Sequence, residues 1–148
     1  MVSVFDSEIS ASVFADDEIK SLLSDVEQIR SALEVEAKLA MVQQALGLIP
    51  EGKGDTISRL LSTLKLEPKF LATAYAKDGI STPGLVRLTR EQLPAEVGNF
   101  LHWGATSQDI EDSALVLRLK SLTRIMGSRL DTLIALLQQL TESHRHTL

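Results

Sequence analysis

Apolar residues recur at helical spacing along most of the chain. One such face is formed by Val26, Ile29, Leu33, Ala37 and Ala40. Intervals of three and four residues place these side chains on one side of a helix. Ser24 or Asp25 suits the N-cap position, while Gly47 and Pro50 follow the last apolar turn. The pattern therefore predicts a helix that begins near residue 25 and ends at about Leu46.

Shorter amphipathic segments lie on both sides of this helix. The predicted short helices are 15–23, 56–64 and 68 to about 77, and the predicted irregular parts are a lead-in at 1–14 and a turn at 51–54. Pro83 disfavours helical geometry at Thr82, so the segment from Ile80 is predicted to begin as a loop and to continue as a helix.

The last third of the chain carries the longest apolar pattern. Its leucines and one methionine follow each other every three or four residues, at positions 115, 119, 122, 126, 130, 133, 137 and 140. A helix from 107 to about 144 would span on the order of 57 Å at about 1.5 Å per residue. The short helices cannot cover such a length, so the missing partners are other copies of the chain or further chain.

Composition favours an all-α fold and excludes several functions. Hydrophobic residues make up 44% of the chain but aromatic residues only 4%, whereas strands are enriched in aromatic residues. The net charge of −5 comes without a basic stripe, which argues against nucleic-acid binding. The absence of cysteine, of a signal peptide pattern and of an apolar run of about 20 residues predicts a cytoplasmic protein.

Polar residues are concentrated just before the long helix, in the stretch FLHWGATSQDIED. In the simpler interpretation, Thr106 or Ser107 caps the helix, and Asp109 and Asp112 lie where the helix dipole favours negative charge. As a pure helix cap the stretch is satisfactory, so local sequence alone leaves this interpretation open.

The same residues also suit an anion-binding site. A helix N-terminus presents unpaired N–H groups and partial positive charge, which bind carboxylates and phosphates. Gly104 permits close approach of a ligand to the backbone, and Thr106, Ser107 and Gln108 add polar donors. His102 is able to donate to an anion or to move a proton near neutral pH.

Three segments carry a resemblance to a known family. Residues 102–114, HWGATSQDIEDSA, resemble the first signature region of the fumarase/aspartase superfamily, and within it the bacterial 3-carboxy-cis,cis-muconate cycloisomerases. DGISTPGLVRL at 78–88 resembles the loop and helix that precede this signature. EVEAKLAMVQQALGLIP at 34–50 resembles a helix of the N-terminal domain. The resemblance covers nearly the whole chain but only the N-terminal portion of a family member.

The resemblance implies an N-terminal helical domain at 1–106 with a substrate loop, and the start of a central helical bundle at 107–148. It implies an enzyme of protocatechuate (β-ketoadipate) degradation that cyclises 3-carboxy-cis,cis-muconate, a small polycarboxylate, to a lactone. It also implies a homotetramer whose active sites combine segments of three subunits. No metal or organic cofactor and no nucleic-acid or membrane partner is implied.

The resemblance assigns site residues one by one. His102, Thr106, Ser107 and Gln108 are expected to bind substrate, while Asp109 and Asp112 hold the turn and the helix start. A role for Ser81 and Thr82, in the second matching segment, stays open because the Asn common among relatives is missing there.

The later catalytic segments of the family have no counterpart in this sequence. The Gly-Arg-Thr-His segment, the Gly-Ser-Ser loop and the Met-Pro and Lys-Asn positions are all missing. The catalytic acid and base are therefore unknown and are expected beyond Leu148. We expect the chain to be an N-terminal fragment that is inactive in isolation.

Two alternatives to the cycloisomerase remain. One is adenylosuccinate lyase or another lyase of the superfamily. The other is a non-catalytic helical module that associates with itself through its leucine face.

Two pairs of polar residues do not suggest a further site. Residues two apart on a helix point away from each other. This spacing argues against His144 and His146 as metal ligands and against Glu34 and Glu36 as a carboxylate pair. Both glutamates are predicted to lie on a solvated face.

Overall fold

The computed structural model describes residues 3–5 and 7–147, and every regular element within these ranges is helical. The helices are α1 Ala11–Phe14, α2 Asp17–Leu22, α3 Asp25–Ala45, α4 Lys53–Thr63, α5 Pro68–Asp78, α6 Thr82–Glu91, α7 Ala95–Gly98 and α8 Ser107–Ser143. The prediction of an all-α fold is confirmed. The predicted lead-in at 1–14 lies partly outside the described residues and contains the single turn of α1.

Helix α3 is the centre of the core and packs mainly against α4 and α8. Its buried apolar side chains are Ile29, Ala32, Leu33, Ala37 and Ala40. The core continues into α4 with Ile57 and Leu61. Of the apolar face predicted from sequence, Val26 is the exception, since it is 60% exposed. It lies in the first turn, where the neighbouring helices do not cover α3.

Helix α4 begins at Lys53, three residues earlier than predicted. The side chain of Gln44, on α3, caps this start, because its Oε1 accepts the backbone N–H groups of Gly54 at 2.7 Å and Asp55 at 3.2 Å. A Cβ at position 54 would lie 2.4 Å from the Ala40 carbonyl oxygen, so glycine permits the close approach of α4 to α3. A tertiary contact therefore set the boundary.

Helix α6 begins at Thr82, so the prediction of a non-helical Thr82 was wrong. Pro83 occupies the second helical position, where a missing N–H group costs no intrahelical hydrogen bond. The carboxylate of Glu111, on α8, accepts the backbone N–H groups of Ser81 at 3.1 Å and Thr82 at 3.2 Å. These hydrogen bonds stabilise the helical start against the local preference imposed by proline.

Helix α8 contains 37 residues, which confirms the predicted long helix. Ile110 and Ala114, in its first two turns, are buried against the other helices. Most of the later apolar side chains, from Leu115 to Leu140, are exposed within this chain, while Leu122 and Ile125 are half-buried. One ionic contact holds the distal part of α8 to α2, since Arg129 donates to Glu18 at 2.6 Å and also pairs with Asp16.

Candidate functional site

His102 forms a buried pair with Glu36 of α3. Its Nδ1 lies 2.6 Å from Oε1 of Glu36, although 66 residues separate the two in sequence. The Glu36 side chain is only 2% exposed, and that of His102 is 16% exposed. Burial raises the pKa of Glu36, and the charge and hydrogen bond of His102 oppose this shift without cancelling it. The ring therefore has one nitrogen directed into the core.

The residues on either side of His102 are also fastened by side chains. Gln43, on α3, donates from Nε2 to the Trp103 carbonyl oxygen at 2.6 Å. Arg90, on α6, donates from Nη2 to the Leu101 carbonyl oxygen at 2.7 Å. His102 itself adopts a positive φ of 59°, which is uncommon for residues other than glycine. The segment 101–103 is thus held in one conformation by α3 and α6.

An open cleft of about 590 Å³ lies between α6 and this segment. Its polar lining consists of Arg87, Arg90, Glu91, Asn99, His102 and Ser107. Two guanidinium groups and one carboxylate give the lining a positive balance. Planar guanidinium groups suit two-pronged hydrogen bonds to carboxylates. The arrangement is therefore chemically suited to a small carboxylate ligand.

The structure brings together two of the four residues that were predicted to bind substrate. His102 and Ser107 both line the cleft. Thr106 and Gln108 are exposed at the same helix start but do not line it. Trp103 is 54% exposed and stacks at a tilt against Phe100, with 6.3 Å between the ring centroids.

The first turn of α8 contains the capping interaction expected from sequence. The Asp109 carboxylate accepts the Thr106 backbone N–H at 2.9 Å, as in a capping box. Asp112 accepts from the Gln108 side chain at 3.2 Å instead and does not contact the cap. The backbone N–H of Asp109 donates to the Thr106 carbonyl oxygen at 3.1 Å, whereas those of Ser107 and Gln108 have no such partner in the part of the chain that the structure describes and remain directed toward the helix mouth.

Ser81 and Thr82 donate hydrogen bonds to the carboxylate of Glu111. Their hydroxyl groups each donate to Glu111 Oε1 at 3.0 Å, in addition to the two backbone N–H groups. Burial raises the pKa of Glu111, but these hydrogen bonds outweigh it, and the net pKa lies below the ordinary value. In this structure the polar groups of both residues therefore serve an internal contact between α6 and α8.

Sequence analysis missed Glu36 and four polar residues of the cleft, namely Arg87, Arg90, Glu91 and Asn99. The prediction of a solvated Glu36 was wrong. Position 36 lies three residues after Leu33 and four before Ala40, on the apolar face of α3. Glu34, in contrast, is exposed. A charged residue inside an apolar helical stripe was the available signal, because a buried carboxylate requires a partner.

The two other histidines of the chain do not line this cleft. His144 and His146 lie exposed beyond the end of α8. In the described part of the chain, no group of three or more His, Asp or Glu side chains is arranged to hold a metal ion. None of the described helices is both long and apolar enough to cross a membrane.

No family model matches the chain. Among curated proteins, it is 32% identical over 146 residues to an uncharacterized protein of Schizosaccharomyces pombe, covering 99% of this chain and 33% of that protein. It is 29% identical to the 3-carboxy-cis,cis-muconate cycloisomerase of Acinetobacter baylyi, covering 95% and 32%. It is 28% identical to the adenylosuccinate lyase of Methanocaldococcus jannaschii, covering 88% and 28%.

Solved structures show the same relationship. A fumarate lyase from Mesorhizobium sp. superposes with a TM-score of 0.85 at 33% identity, covering 89% of this chain and 31% of that one. The 3-carboxy-cis,cis-muconate lactonizing enzyme from Pseudomonas putida superposes with a TM-score of 0.84 at 27% identity. The match covers 91% of this chain and 31% of that one. The homologues of this chain are members of the fumarase/aspartase superfamily. It spans about a third of the length of the curated relatives it matches.

Proposed function

We propose that this chain forms the carboxylate-binding part of a 3-carboxy-cis,cis-muconate cycloisomerase. The observation that carries the proposal is the cleft in which His102 and Ser107 meet Arg87 and Arg90. The cycloisomerase and lactonizing enzyme among the similar proteins support the choice of substrate. Residues 1–106 would form an N-terminal domain and residues 107–148 would begin the helical bundle of an oligomer, a homotetramer by resemblance.

The chemistry of lactonisation needs fixed donors near a carboxylate. One carboxylate of the substrate adds to a carbon–carbon double bond, and a proton goes to the neighbouring carbon. Negative charge develops on a second carboxyl group, and preorganised donors stabilise such charge. Ser107, at the first position of α8, offers both its hydroxyl and a backbone N–H that has no intrahelical partner. Arg87 is exposed at the cleft and is without an ion pair among the described residues.

A lyase that acts on a succinyl adduct is the second candidate. Adenylosuccinate lyase is among the relatives at nearly the same identity as the cycloisomerase. Elimination of fumarate also develops negative charge next to a carboxyl group, so the same cleft serves both reactions. The substrates of the two candidates differ in the part of the molecule that is attached to the carboxylates. An assay with each substrate therefore distinguishes the candidates.

The test is an ultraviolet assay of the full gene product that carries this sequence. Loss of the conjugated diene of 3-carboxy-cis,cis-muconate is followed in one cuvette and cleavage of adenylosuccinate in another. We expect turnover of the muconate. Turnover of adenylosuccinate alone would assign the lyase, and no turnover of either compound by the folded protein would contradict both candidates.

Matched serine variants locate the site within that assay. Ser107→Ala is expected to lower kcat/KM by about 10²-fold, the usual cost of one lost donor at a developing charge. Ser128→Ala, on the exposed distal part of α8, is the control and should leave turnover unchanged. If Ser107→Ala lowers the melting temperature and spares turnover, Ser107 only stabilises the start of α8.

A further inference from the structure

The backbone conformation of His102 is unfavourable, so the surrounding contacts must stabilise it. These contacts indicate which group of the segment 101–103 they position. The left-handed region is unfavourable for residues other than glycine, and His102 lies there with φ of 59°. Such geometry persists only where the surroundings determine it. The hydrogen bonds of Gln43, Arg90 and Glu36 to three consecutive residues supply those surroundings.

Glu36 differs from the other two because it forms a hydrogen bond with a ring nitrogen. Gln43 and Arg90 both donate to carbonyl oxygens, which fixes the path of the chain. Glu36 contacts the imidazole through Oε1, while its Oε2 is buried without a partner among the described residues. Burial of a carboxylate costs free energy unless a partner compensates for it. Packing does not explain its presence, because the neighbouring buried positions of α3 are filled by Leu33, Ala37 and Ala40. Its distinguishing contribution is therefore the contact with the ring.

The second ring nitrogen of His102 has no protein partner among the described residues. Nε2 makes no hydrogen bond within the described residues and is not among the buried unpartnered atoms, so solvent reaches it. His102 lines the cleft together with Ser107 and Arg87. A neutral imidazole that donates from Nδ1 presents a lone pair at Nε2, and an imidazolium presents an N–H donor there.

We propose that Glu36 is a positioning residue that accepts the Nδ1–H of His102 and so directs Nε2 into the cleft. The ligand class, a carboxylate or a group that exchanges a proton with Nε2, rests on the proposed function. The hydrogen bond and the tautomer that it selects are properties of this chain and need no substrate. The chain contains three histidines, and the other two, His144 and His146, are exposed and have no buried carboxylate as a partner within the described part of the chain.

The test is ¹⁵N nuclear magnetic resonance of the imidazole rings in the chain at pH 8, without any substrate. Ring nitrogens that carry a proton are distinguished from those that do not by their chemical shifts. We expect His102 to show a protonated Nδ1 whose proton exchanges slowly with water. His146, which is exposed, is the internal reference for an unrestrained ring. A His102 spectrum that matches that of His146 would overturn the proposal.

Variants at position 36 show whether Glu36 causes this state. Glu36→Leu removes the acceptor, so the slowly exchanging Nδ1 proton should be lost and the His102 shifts should approach those of His146. Glu36→Gln keeps an acceptor oxygen and should retain the protonated Nδ1. Glu34→Leu, two residues away on the exposed side of α3, is the control and should change nothing.

The variants also separate positioning from packing. Near-ultraviolet circular dichroism reports whether each variant keeps the fold of the parent chain. If folded Glu36→Leu and Glu36→Gln both leave the His102 signals as in the parent, Glu36 does not position the ring. A failed assay with both candidate substrates would leave this result unaffected, so the two proposals fail independently.

Discussion

The two ends of α8 have the same kind of sequence and opposite surroundings. Ile110 and Ala114, near its start, are each 1% exposed, whereas Leu130, Leu133 and Leu137 are 50–54% exposed. Apolar residues recur at intervals of three or four along both parts. The comparison teaches that helical periodicity predicts the helix and its apolar face, but not whether that face is covered within the chain.

The largest expected effect lies at the buried end. Ile110→Ala should lower the free energy of unfolding by about 2–5 kcal/mol, because it removes buried methyl groups and leaves a cavity. Leu133→Ala, at the exposed end, should cost less than about 0.5 kcal/mol as a surface change. Urea unfolding of both variants at low protein concentration measures the difference. Equal losses would mean that the distal face is covered in solution, for example by other copies of the chain.

A glycine pair gives the next largest contrast. Gly54→Ala should destabilise the chain by about 1–3 kcal/mol, because the new Cβ would lie 2.4 Å from the Ala40 carbonyl oxygen. Gly127→Ala, in the exposed part of α8, meets nothing within 4 Å and should stabilise by up to about 1 kcal/mol through helix propensity. Thermal unfolding measures both signs. Destabilisation by Gly127→Ala would show that another surface packs there.

The cap of α8 should give a smaller effect. Asp109→Ala is expected to cost about 0.3–1.5 kcal/mol, because it removes the acceptor of the Thr106 backbone N–H. Asp112→Ala, whose carboxylate contacts only the Gln108 side chain, should cost less. Urea midpoints of the two variants, compared with the parent, rank the two carboxylates. The reverse order would assign the cap to Asp112.

The most subtle expected effect concerns pH and two carboxylates of opposite behaviour. The pKa of Glu36 is raised in the folded chain, mainly by burial and against the influence of His102 and Arg90. Its contribution to stability is therefore fully present below the ordinary glutamate range and is lost as pH rises through the raised pKa. The pKa of Glu111 is lowered, so its contribution is present above the ordinary range and is lost as pH falls through the lowered pKa.

Urea unfolding at a series of pH values separates these contributions. Glu36→Gln should remove the decrease in stability on the alkaline side of the glutamate range. Glu111→Gln should remove part of the decrease on the acidic side. If Glu36→Gln leaves the alkaline slope unchanged, the carboxylate of Glu36 titrates alike in the folded and unfolded chain.

Much of the helical framework could be predicted because its signals are local. The apolar spacing and flanking cap and stop residues predicted α3 and α8 to within about two residues, and Pro68 correctly marked the start of α5. The errors at Lys53 and Thr82 share one cause. Both helix starts are stabilised by side chains from other helices, Gln44 and Glu111, which local sequence does not bring into view.

The candidate site divides in the same way. The stretch 102–108 could be recognised as a candidate site because its polar residues directly precede a long apolar helix. The structure brings His102 and Ser107 of this stretch to one cleft. Arg87 and Glu36 could not be placed there from spacing alone, because they lie on α6 and α3 and reach the site only when these helices pack. Glu36 nevertheless left a signal as a charge within the apolar face of α3.

The sequence by itself determined the helices, the long α8 and the signature stretch at its start, since each depends on residues within a few turns of one another. The tertiary structure alone decided which helix faces are covered, where α4 and α6 begin, and which nitrogen of His102 remains free. These depend on contacts such as that between Glu36 and His102, 66 residues apart. Burial and hydrogen bonding across such distances arise only when the helices pack together.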